Sequence, residues 1–403
     1  MIAAPRRTTR ALTLTGYLSF VLLGSNAVLV PALIRSIEHD FHQSDAALGI
    51  FYFISSVVYA VGSFSGGFLT ERFGRRRILS LAAFLFGLGL LVTAAAPVWA
   101  GILLAAVAVN WGAGSIDGGV NGLFLDLYQE ARGGALNLLH FFFGAGALIA
   151  PFAVGLLVAA GVSWRVSVLG VGVGILVLVV LLRGLEMPSG RRVHAESDGT
   201  SYEGVERSLL PFIGLAIAIG CYVAGEMAVS AWLVKYLSSV SVTTATGVLS
   251  VFWGGLALGR LVSNRIAERL AYVLFTVLCI AGASISLVAA LLTPIFPLAV
   301  ILFGLTGLFN GPIYPMIVAI GGNLYPHRIA ALSGSLAAAA VVGSFIYPPA
   351  IGLLASRIGL RAGLLGAAAL GIPAALAIVG ARVAAGRGSS SAEQPESSIE
   401  AAL

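Results

Sequence analysis

LLPFIGLAIAIGCYVAGEMAVSAWLVKYL, Leu209–Leu237, is an apolar run that carries one carboxylate, Glu226, well inside it. A bilayer-spanning helix needs about 20 apolar residues, and this run exceeds that. A charge at the centre of such a helix costs roughly 2.5–3.5 kcal/mol on insertion scales. A second run, Gly101–Leu127, holds Asp117 within GAGSIDGGVNGLF. Acids in this setting face a water-filled cavity or the interior of a helix bundle, and mark an ion or substrate path.

The rest of the chain is of the same kind. Hydrophobic residues make up 59% and charged residues 10%, against about 25% charged in a soluble domain. The 51 glycines suit helices that pack closely where lipid supplies no hydrophobic drive between them. Twelve segments reach spanning length: 11–34, 46–70, 78–97, 100–127, 135–160, 166–184, 209–237, 244–266, 271–292, 296–324, 329–355 and 362–381. None shows the alternation of an outer-membrane barrel strand. The first is too long for a signal-peptide core and lacks a convincing cleavage site, so it reads as helix one. The expected fold is all-α, with twelve transmembrane helices. Cys221 and Cys279 lie in apolar runs and read as packing residues, since no disulfide framework or metal spacing is present.

Arginine placement orients the chain. With the N-terminus inside, Arg6, Arg7, Arg10, Arg72, Arg75, Arg76 and Arg77 fall on the cytoplasmic side, as do Arg132, Arg183, Arg269, Arg328 and Arg382. Arg35, Arg165, Lys235, Arg357 and Arg361 fall outside. The net charge of +6 thus reads as topology, and the scatter of basic residues through short loops argues against nucleic-acid binding. A multi-pass protein of the cytoplasmic (inner cell) membrane is expected, both termini cytoplasmic, acting as a monomer. The polar stretch EMPSGRRVHAESDGTSYEGVERS divides the chain into a six-helix bundle over 1–185, a cytoplasmic linker over 186–208 and a second bundle over 209–382. Residues 383–403 read as a disordered cytoplasmic tail.

The halves repeat at a constant offset of 197 residues. Gly62 matches Gly259, Glu71-Arg72 matches Glu268-Arg269, Tyr128 matches Tyr325, Pro151 matches Pro348, and Gly155-Leu156-Leu157 matches Gly352-Leu353-Leu354. Two six-helix halves in the same order are what a duplicated transporter requires, with the substrate held between them near the midplane.

Between helices two and three stands Gly67-Phe68-Leu69-Thr70-Glu71-Arg72-Phe73-Gly74-Arg75-Arg76-Arg77. It resembles the loop motif of the major facilitator superfamily, Gly-x-x-x-Asp-Arg-x-Gly-Arg-Arg-x, departing only by Glu71 for Asp. The stretch reads as a cytoplasmic gate latch formed by Gly67, Glu71, Arg72 and Arg75, with Asp126 as a partner for an arginine and Arg260 near the corresponding end of helix eight. Simple positive-inside anchoring is the plainer alternative.

Asp117 and Asn121 are four apart in helix four, and Tyr222 and Glu226 are four apart in helix seven, so each pair shares a helix face. Tyr222-Val223-Ala224-Gly225-Glu226 with Trp232-Leu233-Val234-Lys235-Tyr236-Leu237 resembles helix seven of fucose-permease-like sugar transporters. Asp117-x-x-x-Asn121, with Leu136-Asn137-Leu138-Leu139-His140 and Gly144-Ala145-Gly146, resembles helices four and five of that group. The resemblance implies proton coupling at Asp117. It also implies an acid in helix one, which this chain lacks; Asn26 is the polar residue there. Coupling then rests on Asp117 and Glu226, or has been lost. The substrate-binding candidates are Asn26, Asn121, Asn137, His140, Tyr222, Glu226 and Trp253, with Asn310 and Tyr314 beside the Gly311-Pro312 helix break. Each has a plainer reading as a packing or helix-tying residue.

The expected activity is secondary active transport of a small neutral polyhydroxy solute, such as a hexose, with H+ or Na+ as the coupling ion and no cofactor. Gly144-x-Gly146, Ala150-Pro151 and Gly155 echo the helix-five motif of drug–proton antiporters, which keeps an efflux reading open, and a non-transporting membrane sensor is the third. No catalytic or metal motif and no nucleotide-binding loop occurs, which argues against an enzyme or a primary pump.

Overall fold

The structure, a computed structural model, describes residues 6–128, 132–187, 209–267, 271–325 and 329–392, and no strand occurs among them. Its helices are α1 (Arg6–Phe41), α2 (Asp45–Phe73), α3 (Arg75–Ala95), α4 (Trp99–Leu127), α5 (Arg132–Ala159), α6 (Trp164–Arg183), α7 (Leu209–Tyr236), α8 (Val242–Ala267), α9 (Tyr272–Leu292), α10 (Phe296–Asn310), α11 (Ile313–Leu324), α12 (Ile329–Ala369) and α13 (Gly371–Ala392). Among the described residues, 11 helical segments are long and apolar enough to cross a membrane.

The last of these, Gly334–Ala385, has 52 residues. At 1.5 Å per residue a straight helix of that length would be about 78 Å long, more than twice the hydrocarbon core. It forms two spans, because Gly359 at φ 77 takes a left-handed conformation that turns the chain. Gly161, at the same φ of 77, makes the corresponding turn between α5 and α6. In the other direction, α10 and α11 share one span, Phe296–Leu324, interrupted at Gly311-Pro312. Twelve crossings result.

Two boundaries differ from the sequence expectation. Helix α1 runs to Phe41 rather than stopping at 34, because Arg35 and Glu38 are used at the bundle end rather than in a loop. Helix α13 runs to Ala392, past the expected start of the tail at 383, although the added stretch VAAGRGSSSA carries two glycines, which disfavour helix. Residues 188–208, most of the expected linker, and 393–403 lie outside the described residues.

Helices α1–α6 form one bundle and α7–α13 the other. The bundles meet along two seams, α5 on α8 and α2 on α12, and where α1 packs on α7. The 197-residue offset governs these contacts. Within the first bundle a Cβ at Gly114 would lie 2.1 Å from the Tyr59 carbonyl oxygen; in the second, one at Gly311 would lie 2.3 Å from that of Leu256. Between bundles, Gly155 abuts Thr246 and Gly352 abuts Gly49. Each member of one contact is the repeat counterpart of a member of the other. Tyr128 and Tyr325 cap α4 and α11 at φ −120, ψ 51 and φ −131, ψ 59.

The Gly114 and Gly311 contacts are with backbone carbonyls, so neither side can yield by changing rotamer. Gly114→Val and Gly311→Val are each expected to destabilise the protein by about 1–3 kcal/mol through overpacking. Gly247→Val, where a Cβ meets open space, is expected to cost much less. Thermal melting of the purified protein checks the contrast.

Candidate functional site

A cavity of about 2190 Å³ lies between the bundles. Helix α4 lines it through Ile102, Ala106, Asn110, Ala113, Asp117 and Asn121, a three- and four-residue spacing that keeps one face turned inward. The two ends of the cavity differ. At the end carrying the start of α1 and the α2–α3 turn, here the terminal end, its walls include Gly67, Arg75, Asp126, Ser263 and Gly334. At the far end the bundles are tied together. Lys235 of α7 donates to Glu38 of α1 and Asp45 of α2. Arg35 donates to the Val240 carbonyl at 2.9 Å and to that of Ser238 at 3.2 Å, and Tyr52 donates to the Ala231 carbonyl at 3.1 Å.

Besides Asp126 at the terminal end, two acids line the cavity, one from each bundle. Asp117 accepts a hydrogen bond from Asn121 Nδ2 at 3.0 Å, and the Tyr59 hydroxyl of α2 approaches its carboxylate. Asn121 Oδ1 and, on α2, Ser55 Oγ have no hydrogen-bond partner. Glu226 accepts a hydrogen bond from Tyr222, one turn earlier on α7. Arg260 of α8 lies within electrostatic reach of the Glu226 carboxylate and the Tyr222 hydroxyl, and of His140 of α5 across the interface. Tyr314 lies between the two groups, within electrostatic reach of both Asp117 and Arg260.

Asn26, Asn121, Asn137, His140, Glu226 and Tyr314 line the cavity; Tyr222, one turn from Glu226 on α7, does not reach it and faces the smaller pocket that also holds Asn310. Trp253 does not reach the cavity; it is buried in the second bundle, where Nε1 donates to Ser230 Oγ at 3.1 Å. Asn310 faces that smaller pocket, between α7, α9 and α10. Arg260, expected near the helix end with the latch and, on the plainer reading of Glu226, as a partner of that acid, lines the cavity within electrostatic reach of Glu226. Of the latch residues, Arg75 Nη2 pairs with Asp126 Oδ2 at 2.8 Å, Gly67 borders the cavity, and exposed Arg72 lies over the Phe73 ring. The Glu71 side chain lies outside the described residues.

Tyr59, Ser55 and Asn110 line the cavity without having been singled out in sequence. A signal existed. Tyr52, Ser56, Tyr59 and Ser63 recur at helical spacing on α2, and Asn110 stands seven residues before Asp117.

The Major Facilitator Superfamily model matches residues 16–240 and again 215–402, so the two matches together cover nearly the whole chain. The chain belongs to the Major Facilitator Superfamily. It is thus a multi-pass membrane transporter of a family that carries small molecules. Among curated proteins, Bypass of stop codon protein 6 of Saccharomyces cerevisiae is 23% identical over 85% of this chain and 76% of that protein. Protein TsgA of Salmonella typhimurium is 23% identical over 60% of this chain, the match spanning 62% of that protein. Solved superfamily structures share the fold. The nucleoside transporter NupG aligns with TM-score 0.74 at 13% identity, over 93% of this chain and 99% of that one. The xylose transporter XylE from E. coli, in a partially occluded inward open conformation, aligns with TM-score 0.72 at 15% identity, over 92% and 98%. An inward-facing bacterial homologue of the lysosomal transporter Spinster aligns with TM-score 0.70 at 17% identity, over 95% and 96%.

The far-end ties are partly buried charge pairs, and removing Lys235 leaves two acids facing each other. Lys235→Gln is expected to raise access to the cavity from the far side severalfold. The measurement is labelling of a single cysteine at Ala27, a cavity-lining position, by an impermeant maleimide, with Cys221 and Cys279 replaced. Labelling equal to that of the parent would show that the seams alone keep this end shut.

Proposed function

We propose that the protein is a secondary active transporter of a neutral polyhydroxy solute, a hexose or related sugar, coupled to protons through Asp117. The observation that carries this reading is the charge balance of the site. Glu226 has Arg260 beside it, which leaves Asp117 as the cavity acid partnered only by uncharged groups, Asn121 and Tyr59. A charge in such a place is costly unless it is matched, and a proton is the simplest match for one carboxylate. The remaining polar groups, Asn26, Ser55, Asn137 and Tyr314, are uncharged and suit hydroxyls. Likeness to NupG and XylE, named for a nucleoside and for xylose, supports a neutral hydroxylated cargo.

The terminal end is read as cytoplasmic, from the arginines of the α2–α3 turn. The cavity is then open inward, with the far-end ties as the outer gate, and the Gly67–Arg77 loop holds the opposite state by closing the terminal end. Transport follows by rocking one bundle on the other about the α2–α12 and α5–α8 seams.

Asp117→Asn is expected to abolish accumulation of the solute against its gradient while leaving counterflow exchange. Proteoliposomes with an imposed pH gradient, or a sodium gradient as the comparison, and a panel of labelled sugars test it. If Asp117→Asn still concentrates solute, coupling lies elsewhere.

Glu226, with Tyr222 and Arg260, is assigned to the solute hydroxyls. A buried group built to bond a hydroxyl discriminates strongly against an analogue lacking it, because the group is left unpaired. Glu226→Gln is therefore expected to lower affinity by about tenfold or more, roughly 1.4 kcal/mol, and to reorder the ranking of deoxy-sugars. An unchanged ranking in competition binding would make Glu226 a structural acid.

A further inference from the structure

The cavity does not end at the acids. From Asp117 it continues along α4 toward the far end, inside the first bundle, as a lobe walled by Leu23, Leu90, Ile102, Ala106, Val109 and Val168. These residues come from α1, α3, α4 and α6, and Leu90, Ile102, Ala106, Val109 and Val168 are buried. Phe51 and Trp99, whose ring centroids are 5.9 Å apart, close it off. The inward face of α4 thus changes character along its length. It is polar at Asn121, Asp117 and Asn110, and apolar at Val109, Ala106 and Ile102. Ile102 and Asp117 are 15 residues apart, about 22 Å along the helix.

A free hexose bound at Asp117 and Glu226 would leave this lobe unfilled. Protein interiors seldom hold voids much larger than a water molecule, and apolar voids gain little from water because it finds few partners there. The whole cavity, about 2190 Å³, also exceeds the upper end, near 1,000 Å³, of ordinary small-molecule sites. Thr93 of α3 also lines the cavity, but its hydroxyl donates to the Gly89 carbonyl at 2.9 Å, so a continuous water chain from Asp117 along these apolar walls has few anchors.

We propose that the lobe is an apolar subsite, and that the cargo is an amphipathic glycoside whose sugar lies at the two acids and whose alkyl or aryl aglycone lies between α1, α3, α4 and α6. This rests on the polyhydroxy reading of the site and narrows it. The aglycone points toward the closed far end, so the sugar enters first from the far side and leaves first through the terminal end. Each methylene transferred from water into such a lobe is worth roughly fourfold in affinity.

The test uses the full-length protein in lipid nanodiscs and calorimetric binding of matched pairs: glucose, galactose, fucose and xylose against their hexyl β-glycosides, with hexanol alone as the probe of partition into lipid. For at least one pair, the glycoside is expected to bind tenfold or more tightly than its parent sugar. Ala106→Leu and Val109→Phe, which fill the lobe, are expected to erase that gain while the affinity for the parent sugar stays within twofold. Thermal melting confirms that each variant is folded, and two variants guard against the loss of one. If parent and glycoside bind alike, or if the gain survives both substitutions, the subsite is overturned and the polyhydroxy reading stands. Slowed proton-driven flux with unchanged affinities for both members of a pair would make the lobe a proton path and overturn the subsite as well. If no sugar and no glycoside binds, the polyhydroxy reading and the subsite fall together.

Discussion

A carboxylate cannot be left facing hydrocarbon, and this chain places two within its spans. Much of the central architecture follows. Asp117 and Glu226 need a polar cleft, and neither bundle alone provides one, so the cleft forms where the bundles meet. Each acid is met first by a neutral partner from its own helix, Asn121 or Tyr222. Four-residue spacing places that partner one turn away at no cost to the helix. Only then do groups from other helices enter: Tyr59 from α2, and Arg260 from α8. Helices α4 and α7 therefore act as the two walls on which the chemistry is mounted, while α3, α6, α9 and α13 fill out the bundles behind them.

Duplication supplies the scaffold, and the chemistry departs from it. Applying the 197-residue offset to the cavity wall pairs Asp117 with Tyr314, Asn26 with Val223, Asn137 with Gly334, and His140 with Ala337. All eight residues line the cavity. The two bundles thus present equivalent positions to one central space, as parallel repeats about an axis along the membrane normal must. At each of these pairs the more polar or ionisable member belongs to the first bundle. The second bundle contributes its charged groups elsewhere, from α7 and α8, at Glu226 and Arg260. Symmetric walls allow the bundles to rock against each other; asymmetric side chains give the two walls separate tasks.

The fold was legible in sequence because bilayer thickness dictates segment length, and twelve runs of that length leave little choice. The acids and their neighbours one turn away were legible for the same reason that α-helices have a fixed period. What was not legible depended on rotation about the helix axis. Trp253 sits on α8, which borders the cavity, and Asn310 just before the break that leads into cavity-lining α11, yet both side chains turn into the second bundle. Arg260 looked like a latch residue because it stands where the second half should repeat the α2–α3 motif. Gly311 instead draws α10 so close to α8 that a Cβ there would lie 2.8 Å from the Arg260 amide nitrogen. Its side chain then lines the cavity, within electrostatic reach of Glu226. Boundaries misled where charged residues extended helices, since Arg35 and Glu38 resemble loop residues until Lys235 and the Val240 carbonyl are seen beside them.

The charge balance also bounds the cycle on the proposed reading. Alternating access passes through a state in which the cavity is sealed from both sides, and a sealed cavity holds unmatched charge poorly. Glu226 and Arg260 both belong to the second bundle, so rocking the bundles carries them together and keeps them within electrostatic reach of each other. Arg75 and Asp126 both belong to the first and travel the same way. Asp117 has no cation within its own bundle among the contacts described, and its partners Asn121 and Tyr59 move with it. It is therefore the site at which closure demands neutrality from outside the protein. One carboxylate needs one monovalent cation, so a neutral cargo would move with one coupling ion. That cation would ride with the first bundle while the cargo bridges both.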